Sequence, residues 1–201
     1  MGSGSSIFSF FRKHNPTKML PLMEQYVPKD GVIIDAGAGA GKFTRLFAQA
    51  APQGHVYAFE PVKYLRSILS KLIVAKKLHN VSLFPWGLGG STPRSLCPVM
   101  KSEERTTLDQ FASHHGLKKV DMIRGEAHLG VLHGAHNVIN RHRPVLFLAT
   151  NDDGSAPEEV HSFLRSLNYR IDHIEKDGNR LTPLEAPSGK GALWCVAEER
   201  A

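Results

Sequence analysis

Cysteine is scarce in this chain: Cys97 and Cys195 are the whole complement among 201 residues. Two thiols supply neither a disulfide framework nor a zinc-ligand pattern. The expectation is a reduced, cytoplasmic protein with no structural metal. Long apolar runs are missing as well. Nothing approaches the roughly 18 residues of a membrane-spanning helix, and the Gly/Ser-rich start is no secretory signal. Carboxylates are the minority charge, with 19 Asp and Glu against 25 Lys and Arg, a formal net charge of +6 and a pI of about 9.4. That balance favours an anionic partner without identifying one. The cations form no run. Lys63, Arg66, Lys71, Lys76 and Lys77 are spread along one helical stretch and read as a solvated face, so nucleic acid is not the expected partner. Met1-Gly2-Ser3-Gly4-Ser5-Ser6 fits the simple N-myristoylation pattern, but residues 1–15 read as a flexible tail or leader. One domain over 16–201 is the expected organisation.

Two familiar phosphate-binding signatures are also absent. A P-loop needs Gly, four residues, then Gly-Lys-Ser/Thr. Gly41-Lys42 fits, but Ala36 holds the first glycine position and Phe43 replaces the hydroxyl. The dinucleotide fingerprint counted from Gly37 fails at its sixth position, which is Lys42.

What is there instead is Gly31-Val-Ile-Ile-Asp-Ala-Gly-Ala-Gly-Ala-Gly-Lys-Phe43. An apolar run, Val32 to Ile34, ends in Asp35, and glycines follow at 37, 39 and 41. Phe43, Leu46, Phe47 and Ala50 then recur at i, i+3, i+4 and i+7, the spacing of an amphipathic helix. A buried strand, a tight turn and a helix are implied. Glycine takes positive φ without steric cost and lets a ligand approach bare backbone. An acidic strand end followed by alternating glycines is the usual look of an S-adenosylmethionine site. The next strand, His55–Phe59, ends in Glu60-Pro61, and an acid there can accept hydrogen bonds from both ribose hydroxyls.

The remaining pattern alternates strands and helices. A leading helix spans Pro16 to Tyr26. Leu65, Ile68, Leu69, Leu72 and Ile73 form one helical stripe. Strands are expected at Val81–Phe84, Lys119–Ile123, Pro144–Ala149, Tyr169–Ile174 and Ala192–Ala197. Residues 87–104 read as irregular, Thr107 as a helix cap, and Leu129–Arg141 as one helix. Ser155 and Glu158 form a capping-box pair ahead of Val160, Phe163, Leu164 and Leu167. The pattern means an α/β three-layer sandwich, with a mostly parallel seven-stranded sheet closed by an antiparallel C-terminal hairpin.

In this order of motifs the chain resembles the FkbM-type family of S-adenosylmethionine-dependent methyltransferases, a class I, Rossmann-like group. The likeness runs over roughly residues 30–197. It rests on Ile33-Ile34-Asp35-Ala36-Gly37-Ala38-Gly39-Ala40-Gly41-Lys42-Phe43-Thr44, Val56-Tyr57-Ala58-Phe59-Glu60-Pro61, Thr107-Leu108-Asp109, Val120-Asp121-Met122-Ile123, Val131-Leu132-His133-Gly134-Ala135 and Arg143-Pro144-Val145-Leu146-Phe147. The resemblance implies O-methylation of a hydroxyl on a sugar or other small molecule. It implies that Asp35, Gly37, Ala38, Gly39, Gly41 and Phe43 border the cofactor, and that Glu60 and Pro61 lie at its ribose. Trp86, directly after the third strand, is placed to stack near the adenine. One departure stands out. After its fourth strand the family carries Lys-Ile-Asp-Val-Glu-Gly-Ala-Glu, whereas this chain has the shorter Arg124-Gly125-Glu126-Ala127-His128.

Methyl transfer from a sulfonium is an in-line displacement, so the protein chiefly aligns the reactants and excludes water. A hydroxyl acceptor also needs a general base. Glu126 and His128 are the candidates, and an imidazole titrates near neutrality. His128, His133 and His136 do not have the i, i+4 spacing that presents two metal ligands on one helix face, and no metal is expected. A cofactor-binding protein without catalysis and an RNA methyltransferase are the alternative readings.

Overall fold

The computed structural model describes residues 16–89, 105–150, 158–175, 178, 180–185 and 192–200. A 3-10 turn at Pro16–Met19 leads into α1 (Leu20–Tyr26), which buries Leu22 and Met23. Then come β1 (Val32–Ala36), α2 (Lys42–Ala50), β2 (His55–Phe59), α3 (Lys63–Ala75) and β3 (Val81–Phe84). Two short strands, β4 (Gly87–Leu88) and β5 (Arg105–Thr106), pair in parallel; β4 falls within the 87–104 stretch that the sequence suggests is irregular, and β5 follows directly after it. The second half holds α4 (Leu108–His114), β6 (Met122–Glu126), α5 (Leu129–His133), α6 (His136–His142), β7 (Val145–Ala149), α7 (Glu158–Ser166), β8 (Tyr169–Ile174), β9 (Leu181–Pro183) and β10 (Ala192–Ala197).

Among the described residues the main sheet has eight strands in the order β3-β2-β1-β6-β7-β10-β8-β9. The first five run parallel, and β10 is antiparallel to both β7 and β8. The expected antiparallel pair of final strands is present, but β10 lies inside the sheet and the short β9 forms the edge. Ala-Leu-Trp-Cys-Val-Ala, buried at every position, suits an interior strand.

Alternation along the strands divides the core. Ile34, Ile123, Leu146 and Leu148 face one layer with Phe111, Leu132, Val138 and Leu164. Ile33, Val56, Met122 and Phe147 face the other with Met23, Phe43 and Phe47. The chain leaves β1 toward β2 and β3, then crosses back to β6 on the other side of β1. That reversal is a topological switch point between β1 and β6, and open α/β sheets bind ligands outside the carboxyl ends of the strands at such a point.

Two further elements differ from the sequence reading. The fourth major strand starts at Met122, not Lys119, and runs through Arg124 and Gly125 to Glu126. Asp121 belongs to the strand entry, where its carboxylate accepts the Val32 N–H at 2.8 Å. The helix expected over 129–141 is two helices broken at Gly134 and Ala135. A Cβ on Gly134 would stand 2.7 Å from the Gly89 carbonyl oxygen, and the Asp109 carboxylate accepts the Asn137 and Val138 N–H groups that open α6. Thr107 caps α4 in a full capping box with Gln110. Ser155 lies outside the described residues, as do 1–15.

Candidate functional site

The site is built on the turn between β1 and α2. Gly37, Gly39 and Gly41 take φ of +76°, +59° and +87°, the left-handed region that favours glycine. The turn is tied to the neighbouring strand, because the Gly37 and Ala38 N–H groups both donate to the Phe59 carbonyl at 2.9 Å. Glu60 then folds across it. One carboxylate oxygen accepts the Gly39 N–H at 2.7 Å and the other accepts the Val62 N–H at 2.8 Å. Glu60 is 4% exposed, and burial raises its pKa above the usual carboxylate value against the lowering effect of those two N–H donors. An ionised carboxylate has lone pairs beyond the two in use.

Outside the turn, a Cβ built on Gly39 meets no atom within 4 Å, whereas one on Gly41 would stand 2.5 Å from Leu69 Cδ1. Gly41 is glycine because α3 packs against it. Gly39 presents bare backbone to open space beside a buried acid. This cradle fits a flat, polar nucleoside.

Asp35 does not face that space. It is fully buried; one oxygen accepts the Thr44 hydroxyl at 2.7 Å and the other pairs with Arg124 at 3.1 Å. Asp35 and Arg124 are register partners on β1 and β6. The Arg124 guanidinium also donates to the Gly37 carbonyl at 2.7 Å and the Ala36 carbonyl at 3.3 Å. It lies 5.1 Å from the centroid of the Phe43 ring, within the range of a cation–π contact. Phe43 itself is buried against Phe147 and Phe47. Arg124 and Thr44 were not singled out from sequence. The available signal was an arginine directly after the apolar Met122-Ile123, on a strand able to neighbour an acid-ended one.

The proposed acid–base pair sits at the same carboxyl edge. Glu126 is the last residue of β6, opposite Ala149. Burial raises its pKa, with His128 and Arg124 opposing. His128 is the N-cap of α5, and its Nδ1 accepts the Gly130 N–H at 3.1 Å. The acceptor role leaves the proton of a neutral ring on Nε2. Pro61 follows Glu60, and both carbonyls accept from Arg66. Trp86 is half-buried and stacks on Phe84, which stacks on Phe59, with centroids 5.4 and 5.2 Å apart. It also borders a cavity of about 740 Å³ that runs along α4 past Arg105, Asp109 and His114. Among the described residues no group of three or more His, Cys, Asp or Glu could hold a metal ion.

No family model matches the chain, and no curated protein matches it in sequence. Solved structures do. The chain is similar to methyltransferase FkbM from Methylobacillus flagellatus, with a TM-score of 0.66, 14% identity and coverage of 93% of this chain. It spans 49% of that protein, about half its length. An rRNA methylase from Streptococcus thermophilus aligns with a TM-score of 0.58 and 12% identity over 89% of this chain and 92% of its own. A Streptococcus mutans protein assigned as a methyltransferase, in complex with S-adenosylhomocysteine, aligns with a TM-score of 0.58 and 15% identity over 90% of this chain and 96% of its own. The mixed sheet with its two helical layers is thus the class I methyltransferase fold.

Proposed function

We propose that this chain is an S-adenosylmethionine-dependent methyltransferase of the FkbM type, acting on a hydroxyl of a small molecule or sugar. The observation that carries the reading is Glu60 lying across a turn whose central glycine is open on its outer side. The Streptococcus mutans structure that shares the fold holds S-adenosylhomocysteine.

Glu60 accepts the ribose hydroxyls with the lone pairs its two backbone donors leave over. Gly37 to Gly41 give the nucleoside and its amino-acid end a wall without side chains. Arg124 fixes that wall through the Ala36 and Gly37 carbonyls, and Asp35 and Thr44 hold Arg124 and α2 in place. Pro61 sets the exit of the chain past the ribose, and Trp86 borders the adenine side. Bound there, the cofactor supplies an activated methyl group on a sulfonium centre. The Glu126 carboxylate takes the proton from the acceptor hydroxyl, a role strengthened by the burial that raises its pKa. With Nδ1 accepting from Gly130, a neutral His128 offers its Nε2–H as a donor.

A second reading is favoured by that engaged Nδ1 together with the short segment after β6: cofactor binding without turnover. Calorimetric titration with S-adenosylhomocysteine tests the shared premise. The expected result is stoichiometric binding that Glu60→Gln weakens by roughly tenfold or more, as loss of a charged hydrogen-bond acceptor implies. No heat, or tighter binding of NAD, overturns both readings. Methyl transfer to any acceptor in a hydroxyl-compound screen removes the second. Salt-dependent RNA binding with methylated RNA as product redirects the acceptor assignment.

A further inference from the structure

Helix α3 is built unlike the other helices on the sheet. Of the stripe expected to face inward, only Leu69 is fully buried. Every large apolar side chain exposed among the described residues belongs to α3 or its N-cap: Val62 at 45%, Tyr64 at 73%, Ile68 at 36% and Val74 at 77%. Lys63 and Lys71 lie on the helix, Lys76 and Lys77 follow it, and no Asp or Glu occurs between Glu60 and Glu103; Arg66 is instead turned back to the Glu60 and Pro61 carbonyls. Tyr64, Ile68 and Lys71 fall at i, i+4 and i+7, one outer stripe, with Lys63, Ser67 and Val74 beside it. An ordinary surface helix turns polar residues outward. This one interleaves aromatic, aliphatic and ammonium groups on its solvent side.

We propose that α3 is a docking surface for an anionic phospholipid bilayer. The helix lies flat among the headgroups, its outer apolar side chains sink toward the acyl chains, and its lysines meet lipid phosphates. The charge pattern selects this occupant. A second copy of the chain packed by two-fold symmetry would oppose two rows of cations. Single-stranded nucleic acid is held by aromatic platforms in a basic groove, and Tyr64 is the lone aromatic among aliphatics here. The bilayer would also border the nucleoside crevice, since α3 begins just past Glu60 and Pro61. The inference stands on the exposed face alone and does not require the methyltransferase reading.

Vesicle flotation of the full chain is the test, with phosphatidylcholine alone and with phosphatidylglycerol added. Binding to the anionic vesicles and not the neutral ones is expected, weakening with salt. Lys63→Ser and Lys71→Ser should each lower partitioning roughly fivefold, the effect of about 1 kcal/mol per cation at a charged membrane. Tyr64→Ser with Val74→Ser should lower it further, while the melting temperature stays within a degree or so, as for exposed substitutions. Absence of binding to anionic vesicles at low salt overturns the proposal. So does equal binding to both vesicle types, or a dimer or RNA complex formed without lipid and lost in the Tyr64→Ser, Val74→Ser variant.

Discussion

At the scale of single residues, two side chains carry opposite lessons. Glu126 is held in a setting that penalises its charge, so its folded-state pKa is raised by burial. The folded protein therefore keeps that proton to higher pH than the unfolded chain. The stabilisation this gives is complete below the ordinary glutamate range and is lost as pH rises through the elevated value. Glu126→Gln should consequently melt higher than the parent at neutral pH, with the gap closing in acid, as thermal scans across pH would show. The same substitution should lower methyl transfer about 10²- to 10⁴-fold, the usual worth of a general base. A variant equally active, or less stable at neutral pH, would remove Glu126 from this role. Arg124 is the reverse case, a buried cation with a buried partner. Arg124→Met strands Asp35 and should cost about 3–5 kcal/mol in urea unfolding. Adding Asp35→Asn should recover part of that loss, because the uncompensated charge is gone. The position of Glu60 at a strand end beside the glycine turn is legible in the sequence. Arg124 is not, because a charge in an apolar strand reads as the strand's end until its partner is known.

At the scale of elements, the turn separates a structural glycine from one that faces open space. Gly41→Ala forces a left-handed alanine against Leu69 and should destabilise by about 1–3 kcal/mol. Gly39→Ala carries only the backbone penalty, about 1–2 kcal/mol, yet places a methyl group in the cradle. Its expected signature is a folded protein that has lost nucleoside affinity. Equal loss of stability in both, with affinity intact in the second, would contradict this division. Thr107→Ala should cost about 1 kcal/mol through the lost capping box, consistent with the box formed with Gln110. Local signals of this kind, caps and glycine turns, were readable in advance. The break between α5 and α6 was not, because Gly134 is required by a contact with Gly89 far away in the chain. The two-strand pairing of Gly87–Leu88 with Arg105–Thr106 is likewise non-local.

At the scale of the molecule, alternating strands and helices imply the layers and a mostly parallel sheet, since each period follows from which faces must be buried; the sheet has eight strands rather than the expected seven. The exact depth of β10 within the sheet and the added β9 depend on which strand accepts which neighbour, and hydrophobic pattern alone does not rank those pairings. Charge distribution is a whole-molecule property too. A net charge of +6 says little; the distinguishing feature proposed for α3 is Lys63 and Lys71 interleaved with exposed apolar side chains, which a merely solvated helix face lacks.

In the function proposed, the Gly37–Gly41 turn and Glu60 together hold an adenosyl nucleoside at the carboxyl ends of β1 and β2. A crystal structure of the complex with S-adenosylhomocysteine tests it most directly. Both ribose hydroxyls should lie within hydrogen-bond distance of the Glu60 carboxylate, roughly 2.5–3.0 Å, with the amino-acid end against Gly39. A nucleoside bound elsewhere, or a Glu60 that keeps only its Gly39 and Val62 contacts while the ligand is present, would contradict it.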